Sequence, residues 1–261
     1  MEESNSESAH GALKSPDDSS DLIYEHAAHG SIYTIKEMPD EFDLRSHTLP
    51  SRDQGPRGTC AAFTAAAIKE IQENRDNGFR GYTSPEFIYY HRVNKPASGM
   101  YGRNVFQILQ KIGSVPDSDY EYLDDESARK PSKKLYEQAA LSRIANFARV
   151  ITPEGLKLAL LELGPCFLLL PLYRTRPEFW RAADGEKCRK GHAVAVVGYN
   201  TTGFILKNSW GSDWNGDGCI IIPYDDWGVQ WECWVSMDAI AERQLTHRDK
   251  AKRKKEFCTI L

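Results

Sequence analysis

Cys60, His192 and Asn208 are the residues of this 261-residue chain whose types and surroundings could do chemistry together. Cys60 follows Gly58-Thr59 at the head of an alanine-rich stretch in which Phe63, Ala67 and Ile71 recur at helical spacing, giving one buried face. A thiol at a helix N-terminus meets unpaired backbone N–H groups and the positive end of the helix dipole, and both favour the thiolate. His192 heads the apolar run Ala193–Val197, and Asn208 closes the apolar run that ends at Lys207. Nucleophilic thiol chemistry needs a base beside the sulfur and a third group that orients the base. Taken singly, each residue has a plainer reading. Cys60 could be a structural thiol and His192 a packed core histidine. The argument for chemistry rests on having all three.

Other candidate chemistry is weaker. The six cysteines, Cys60, Cys166, Cys188, Cys219, Cys233 and Cys258, include no C-x-x-C pair, and the seven histidines show no zinc spacing. Asp213-Trp214-Asn215-Gly216-Asp217-Gly218 begins like a calcium loop, but the closing position is Tyr224 instead of a bidentate glutamate, so a turn is expected. The acidic pairs around Asp124 and Asp225 read as solvated loops. No cofactor or metal is implied. The last four residues, Cys258-Thr259-Ile260-Leu261, fit the C-a-a-X prenylation pattern, with a final leucine favouring a geranylgeranyl group. The stretch 247–257 just before them carries six Lys/Arg against two acids, the second signal that stable membrane anchoring needs. The plainer reading is a solvated basic tail ending in an accidental cysteine.

The elements that must position these residues follow from pattern. Residues 1–41 hold ten acidic residues against two lysines and read as a disordered leader, with a short inhibitory segment as the sharper alternative. The opening MEESNSESAH is acidic and polar, so no secretory signal is expected and the thiols should stay reduced in a cytosolic compartment. Order is expected from Phe42. Helices are predicted over Cys60–Asn74, Pro85–His91, Val105–Ile112 and Pro153–Leu163, and strands over Cys166–Leu172, Ala193–Val197, Gly203–Lys207 and Cys219–Ile222. The spans are therefore a leader over 1–41, one domain over 42–238 and a basic tail over 239–261. Helices lead and strands follow, which predicts an α+β domain of two lobes. A net charge of −4 and no aromatics among the tail lysines argue against nucleic-acid binding. The longest apolar run, 163–173, is too short and too interrupted to span a bilayer.

Three segments carry a family resemblance. Gln54-Gly55-Pro56-Arg57-Gly58-Thr59-Cys60-Ala61-Ala62-Phe63 resembles the nucleophile segment of the papain-like cysteine peptidases. Gly191-His192-Ala193-Val194-Ala195-Val196-Val197-Gly198-Tyr199 resembles their histidine strand, and the segment from Leu206 to Gly218 resembles their Asn-Ser-Trp-Gly segment. The separations of 132 residues to His192 and 148 to Asn208 suit that family's pattern of roughly 130–150. Asp43-Leu44-Arg45, Arg52-Asp53-Gln54-Gly55 and Ile222-Pro223-Tyr224 are similar to phrases of its non-secreted, bacterial-type branch.

The resemblance implies the two-lobed papain fold with the site in the cleft between a helical and a sheet-rich lobe. It implies Cys60 as nucleophile, His192 as base and later acid, Asn208 as the group holding the imidazole, and Trp210 as its shield from water. Gln54 and the Cys60 N–H would bind the oxyanion, and Gly102 would lie along the substrate strand. Two departures stand out. Secreted members carry a cysteine where this chain has Arg57, and an aromatic where it has Ala61, which would leave room beside the sulfur. The resemblance would also pair Cys233 with Cys188, against which the reducing compartment argues. The family's long inhibitory prodomain has no counterpart in a 41-residue acidic leader.

The function expected on this basis is a thiol endopeptidase acting on a protein or peptide substrate in eukaryotic cytosol or at the inner face of a membrane. It could be a delivered effector, with a viral or protist protein an equal fit. A deubiquitinase-like isopeptidase or an acyl transferase would use the same constellation. An inactive, membrane-anchored binding module is the reading from a different class.

Overall fold

The computed structural model describes residues 11–28, 38–188 and 190–238. The longest helix, α2 (Cys60–Asn77), starts at the nucleophile candidate and ends at Gly78. That glycine adopts φ 69°, the left-handed cap conformation, and its N–H returns to Asn74 and Glu73. Serine and proline start the next helix, α3 (Pro85–Tyr90), where the Ser84 hydroxyl accepts the Phe87 N–H. The same device starts α6 (Pro153–Glu162), where Thr152 accepts from Gly155. Between them lie α4 (Gly102–Lys111) and α5 (Lys133–Ala139).

The sheet is built on β6 (Lys190–Tyr199), which runs antiparallel to β5 (Cys166–Leu172) on one side and to β7 (Gly203–Lys207) on the other. Outward from β5 come β9 (Glu232–Asp238) and β4 (Ile144–Arg149), and outward from β7 comes β8 (Cys219–Pro223). A two-residue strand β2 (Phe42–Asp43) joins the far end of β6.

The unbroken apolar run of β5 is explained by burial on both faces. Phe167 and Leu169 pack with Ala193, Ala195 and Val197 against α2 and α4. Cys166, Leu168, Leu170 and Leu172 pack with Val194 and Val196 against α6 on the opposite face. A strand covered on both sides has no polar face to alternate. The expected α+β architecture is therefore present, and it sets α2 against the middle of β6, the two elements that carry Cys60 and His192.

The structure differs from the sequence expectation at the N-terminus. Residues 11–28 fold instead of forming part of a disordered leader. Ala12–Leu13 is a strand, β1, parallel to β3 (Met100–Tyr101) and antiparallel to Gly191 of β6. Tyr24–Ala27 forms a short helix, α1, whose Tyr24 hydroxyl donates to Glu162 at 2.7 Å. The acids that suggested disorder are anchors. Asp21 takes a bidentate pair of hydrogen bonds from Arg103 at 2.7 Å each. One Glu25 oxygen accepts the Ile151 and Thr152 N–H groups at the head of α6. Residues 1–10, 29–37 and the tail from 239, with Cys258, lie outside the described residues. Cys188 and Cys233 are both free thiols, so that pairing is not made.

Candidate active site

Four of the residues singled out by sequence converge where α2 meets β6. The His192 ring nitrogen Nε2 lies 2.7 Å from Asn208 Oδ1. That atom also accepts the Ser209 backbone N–H at 2.8 Å, which identifies it as the oxygen. His192 Nε2 is therefore the protonated nitrogen, and Nδ1 is the one able to accept a proton. The Ala193 N–H, next to His192, favours the Cys60 thiolate against the effect of burial.

The imidazole is walled by aromatic rings. Trp210 stacks on it with centroids 4.4 Å apart, and Phe179 meets it edge-on at 5.1 Å. Trp214 meets Trp210 edge-on at 5.2 Å. Trp210 thus lies flat against the imidazole. Phe179 was missed, because it sits in the Arg176-Pro177-Glu178-Phe179-Trp180 loop with no motif or periodicity to mark it.

Gln54 is clamped at both ends of its carboxamide. Its Oε1 accepts the Ser209 hydroxyl at 2.7 Å, and its Nε2 donates to the Arg57 carbonyl at 2.9 Å. The amide nitrogen has a second hydrogen to give. Ser209 ties the two halves of the site together, reaching Asn208 through its backbone and Gln54 through its side chain.

Arg57, where secreted members have a cysteine, makes a different anchor. Its guanidinium is buried against Glu86 of α3 and donates to the Leu123 carbonyl, with the Tyr89 and Tyr122 rings about it. The ion pair fixes the loop before Cys60 to α3 without a disulfide. Glu86 holds the Arg57 charge, and the guanidinium pKa rises despite its burial. Ala61 is fully buried in the core that α2 forms with the sheet.

Cys60 is fully buried, and burial pushes its thiol up to about 11. The N–H groups of Ala193, Ala61, Gly11 and Cys60 itself pull in the other direction. The helix-terminus effect expected from sequence is present but outweighed by lost hydration. The cover is the folded leader. Gly11 lies against Gly58, and its carbonyl accepts the Met100 N–H at 2.7 Å. From there the leader runs through β1 to Ser15, whose N–H donates to Glu232 at 2.6 Å and whose hydroxyl accepts the Arg103 N–H. Gly102 opens α4 directly after β3, where the leader crosses it.

Asp213–Gly218 is a turn containing a short 3-10 segment, and Asp217 accepts the Cys219 N–H and pairs with Arg45. The arrangement as a whole can abstract a thiol proton, orient the base and offer N–H donors to an oxygen that gains charge.

The profile of the papain family cysteine proteases matches residues 38–242. Cysteine proteinase 3 of Entamoeba histolytica is 26% identical over 205 residues, 73% of this chain and 65% of that protein. Cathepsin K of Mus musculus is 29% identical over 202 residues, 71% of this chain and 60% of that protein. The chain thus spans less than two thirds of the length of these relatives. The crystal structure of xylellain, a cysteine protease from Xylella fastidiosa, superposes with a TM-score of 0.76 at 24% identity, covering 89% of this chain and 97% of that one.

Proposed function

Since the chain belongs to the papain family of cysteine proteases, we propose that it is a thiol-dependent endopeptidase that cleaves protein amide bonds through an acyl-enzyme on Cys60. The observation that carries this reading is the 2.7 Å His192–Asn208 bond set beside a cysteine at the head of α2. His192 Nδ1 takes the thiol proton as sulfur attacks the scissile carbonyl. The oxygen of the tetrahedral intermediate is met by the Gln54 amide and the Cys60 N–H, preorganised donors worth about 10²–10³ in rate apiece. The imidazolium then protonates the departing amine, leaving a thioester. Water, deprotonated by the same imidazole, releases the acid and restores the thiol. Asn208 keeps Nε2 protonated throughout, and Trp210 with Phe179 keeps water from that bond.

The folded leader holds this activity back. Gly11 to Ser15 fill the cleft edge formed by Gly191 and Met100–Tyr101, so a substrate gains entry by displacing them. On the same reading the substrates are proteins of eukaryotic cytosol or of the inner face of a membrane. The basic tail and a geranylgeranyl group on Cys258 would hold the enzyme there, and a prenyl mass on the C-terminal peptide, lost with Cys258→Ser, tests that part.

The test of activity is a comparison of protein termini in eukaryotic cells expressing the chain with its leader opened by Gly11→Ala, which crowds Gly58, or the same chain also carrying Cys60→Ala. New N-termini seen only with intact Cys60 support the peptidase and name its targets. Equal catalogues with both forms well expressed would contradict it.

A further inference from the structure

Between the end of α2 and α5 lies a recess that the proposed chemistry leaves unused. Phe79, Val115, Pro116 and Leu141 are its apolar walls, its volume is about 410 Å³, and it shares no residue with the catalytic site. Val115 belongs to a small buried cluster with Phe87 of α3 and Ala139 of α5. Leu141, on the rim, is 88% exposed, the most exposed large apolar side chain among the described residues. A leucine left in water beside an apolar recess marks a surface made to be covered.

Past Phe79 and Pro116 the recess continues into a second one of about 500 Å³, lined by Asp117 and Glu121. Asp119 stands between those two acids in sequence and accepts a hydrogen bond from the Gln138 amide at 2.6 Å. Among the described residues neither Asp119 nor Glu121 forms a salt bridge. Arg52 reaches Asp117 at 3.5 Å but is shared with Glu70. The surface is thus apolar at one end and acidic at the other.

The chain supplies a segment with the same order. β9 ends at Asp238 opposite Ile144 of β4, and the two strands are antiparallel. A chain leaving β9 in the strand's own direction passes Arg143, then Ser142 and Leu141, which line the apolar end. The residues from 239 lie outside the described residues. Their sequence begins Ala239-Ile240-Ala241, reaches Leu245, and enters the stretch 247–257 with six Lys/Arg against two acids. The nine residues 239–247 can extend about 30 Å. A tether this short gives the segment an effective concentration on the order of millimolar, so contacts too weak to hold a free peptide suffice.

We propose that this surface is the docking site of the chain's own tail. Ile240 and Leu245 enter the apolar end, and the lysines of 247–257 lie on Asp117, Asp119 and Glu121. Docking occupies the same lysines that an anionic membrane face would take. The proposal does not depend on the peptidase reading.

The test is cross-linking of the full chain with a water-soluble carbodiimide, which joins an amine to a carboxylate only in direct contact, read by peptide mass spectrometry. Heavy-isotope-labelled and unlabelled protein are mixed in equal amounts beforehand. Lys250, Lys252, Lys254 and Lys255 are expected to join Asp119 and Glu121, in cross-linked peptides of a single isotope. Leu141→Gln, a change at an exposed position, should lower that yield at least about fivefold by removing apolar area that docking buries. Salt at about 1 M, where the screening length is about 3 Å, should lower it in the same direction. As a second readout, trypsin should cut after these lysines at least about fivefold faster in Leu141→Gln than in the intact chain. The proposal is overturned if the tail lysines join no acid, or join acids elsewhere, those of residues 1–10 included. It is overturned if the cross-linked peptides mix isotopes, which would make a second copy the occupant. It is also overturned if Leu141→Gln changes neither the yield nor the cleavage rate.

Discussion

Gly11 and Gly58 are in such close contact that a Cβ on Gly11 would fall 2.1 Å from the Gly58 carbonyl oxygen. Two residues on from Gly58 is Cys60, so the tightest point of the leader lies over the nucleophile. Gly11→Ala places a methyl group inside a backbone atom that cannot move without disturbing the head of α2. The leader should therefore lift from the cleft while Asp21 and Glu25 still hold its far end. Turnover of a peptide substrate by the intact chain should rise at least about tenfold, the effect of losing on the order of 1.4 kcal/mol of leader docking. An unchanged rate would show that the leader does not limit access.

The thiol should change its pH response with the leader. Burial raises the Cys60 pKa to about 11, so the leader-docked protein favours the protonated thiol. The sign follows: this group's contribution to the docked state is present below the ordinary thiol value of 9.0 and is lost as pH rises through about 11. Alkylation of Cys60 by iodoacetamide, followed by peptide mass spectrometry, should show a midpoint near 11 in the intact chain and a lower one in Gly11→Ala. Coincident profiles would mean that the leader does not desolvate the sulfur.

Arg57 and Glu86 make a testable replacement for a disulfide. Both side chains are buried, and removing one leaves the other as an uncompensated charge. Glu86→Ala should cost about 3–5 kcal/mol in urea unfolding. A loss under 1 kcal/mol would place the stability of this loop elsewhere.

Ser209 should act through Gln54. Removing its hydroxyl leaves the Gln54 carboxamide held at one end only, by its bond to the Arg57 carbonyl, so its N–H is aimed less firmly at the oxyanion position. Ser209→Ala is expected to lower kcat about two- to tenfold with KM unchanged, the value of a neutral hydrogen bond. Gln54→Ala should cost about 10²–10³. In the Gln54→Ala background, Ser209→Ala should add almost nothing. Additive losses would give Ser209 a role of its own.

The legible parts of this protein share a physical basis. Cys60 and Asn208 each sit where an element begins or ends, with His192 two residues into β6, and such positions are marked by glycine, threonine and apolar periodicity. The strands β5 and β7 were readable to the residue because burial on both faces leaves an unbroken apolar run. The leader strand was not readable. Ala12–Leu13 is held by backbone bonds to Met100 and Gly191, which leave no side-chain pattern. Its acids looked like a solvated tail because their partners, Arg103 and the head of α6, lie far away in sequence. The same holds for β9, where Glu232 and Ser236 interrupt an apolar run although both are buried and hydrogen-bonded. Phe179 reaches His192 from a loop, and only the fold brings them together.

The most direct test of the central claim is labelling of the full-chain Gly11→Ala protein with a peptidyl epoxide, read by peptide mass spectrometry. Among the described residues Cys188 is the exposed thiol, and Cys60, like Cys166, is fully buried. Activation by His192 predicts an adduct on Cys60 and not on Cys188, slowed about 10²–10⁴-fold by His192→Ala. An adduct on Cys188 with Cys60 unmodified would mean that reactivity follows exposure alone, and would contradict a catalytic thiol at Cys60.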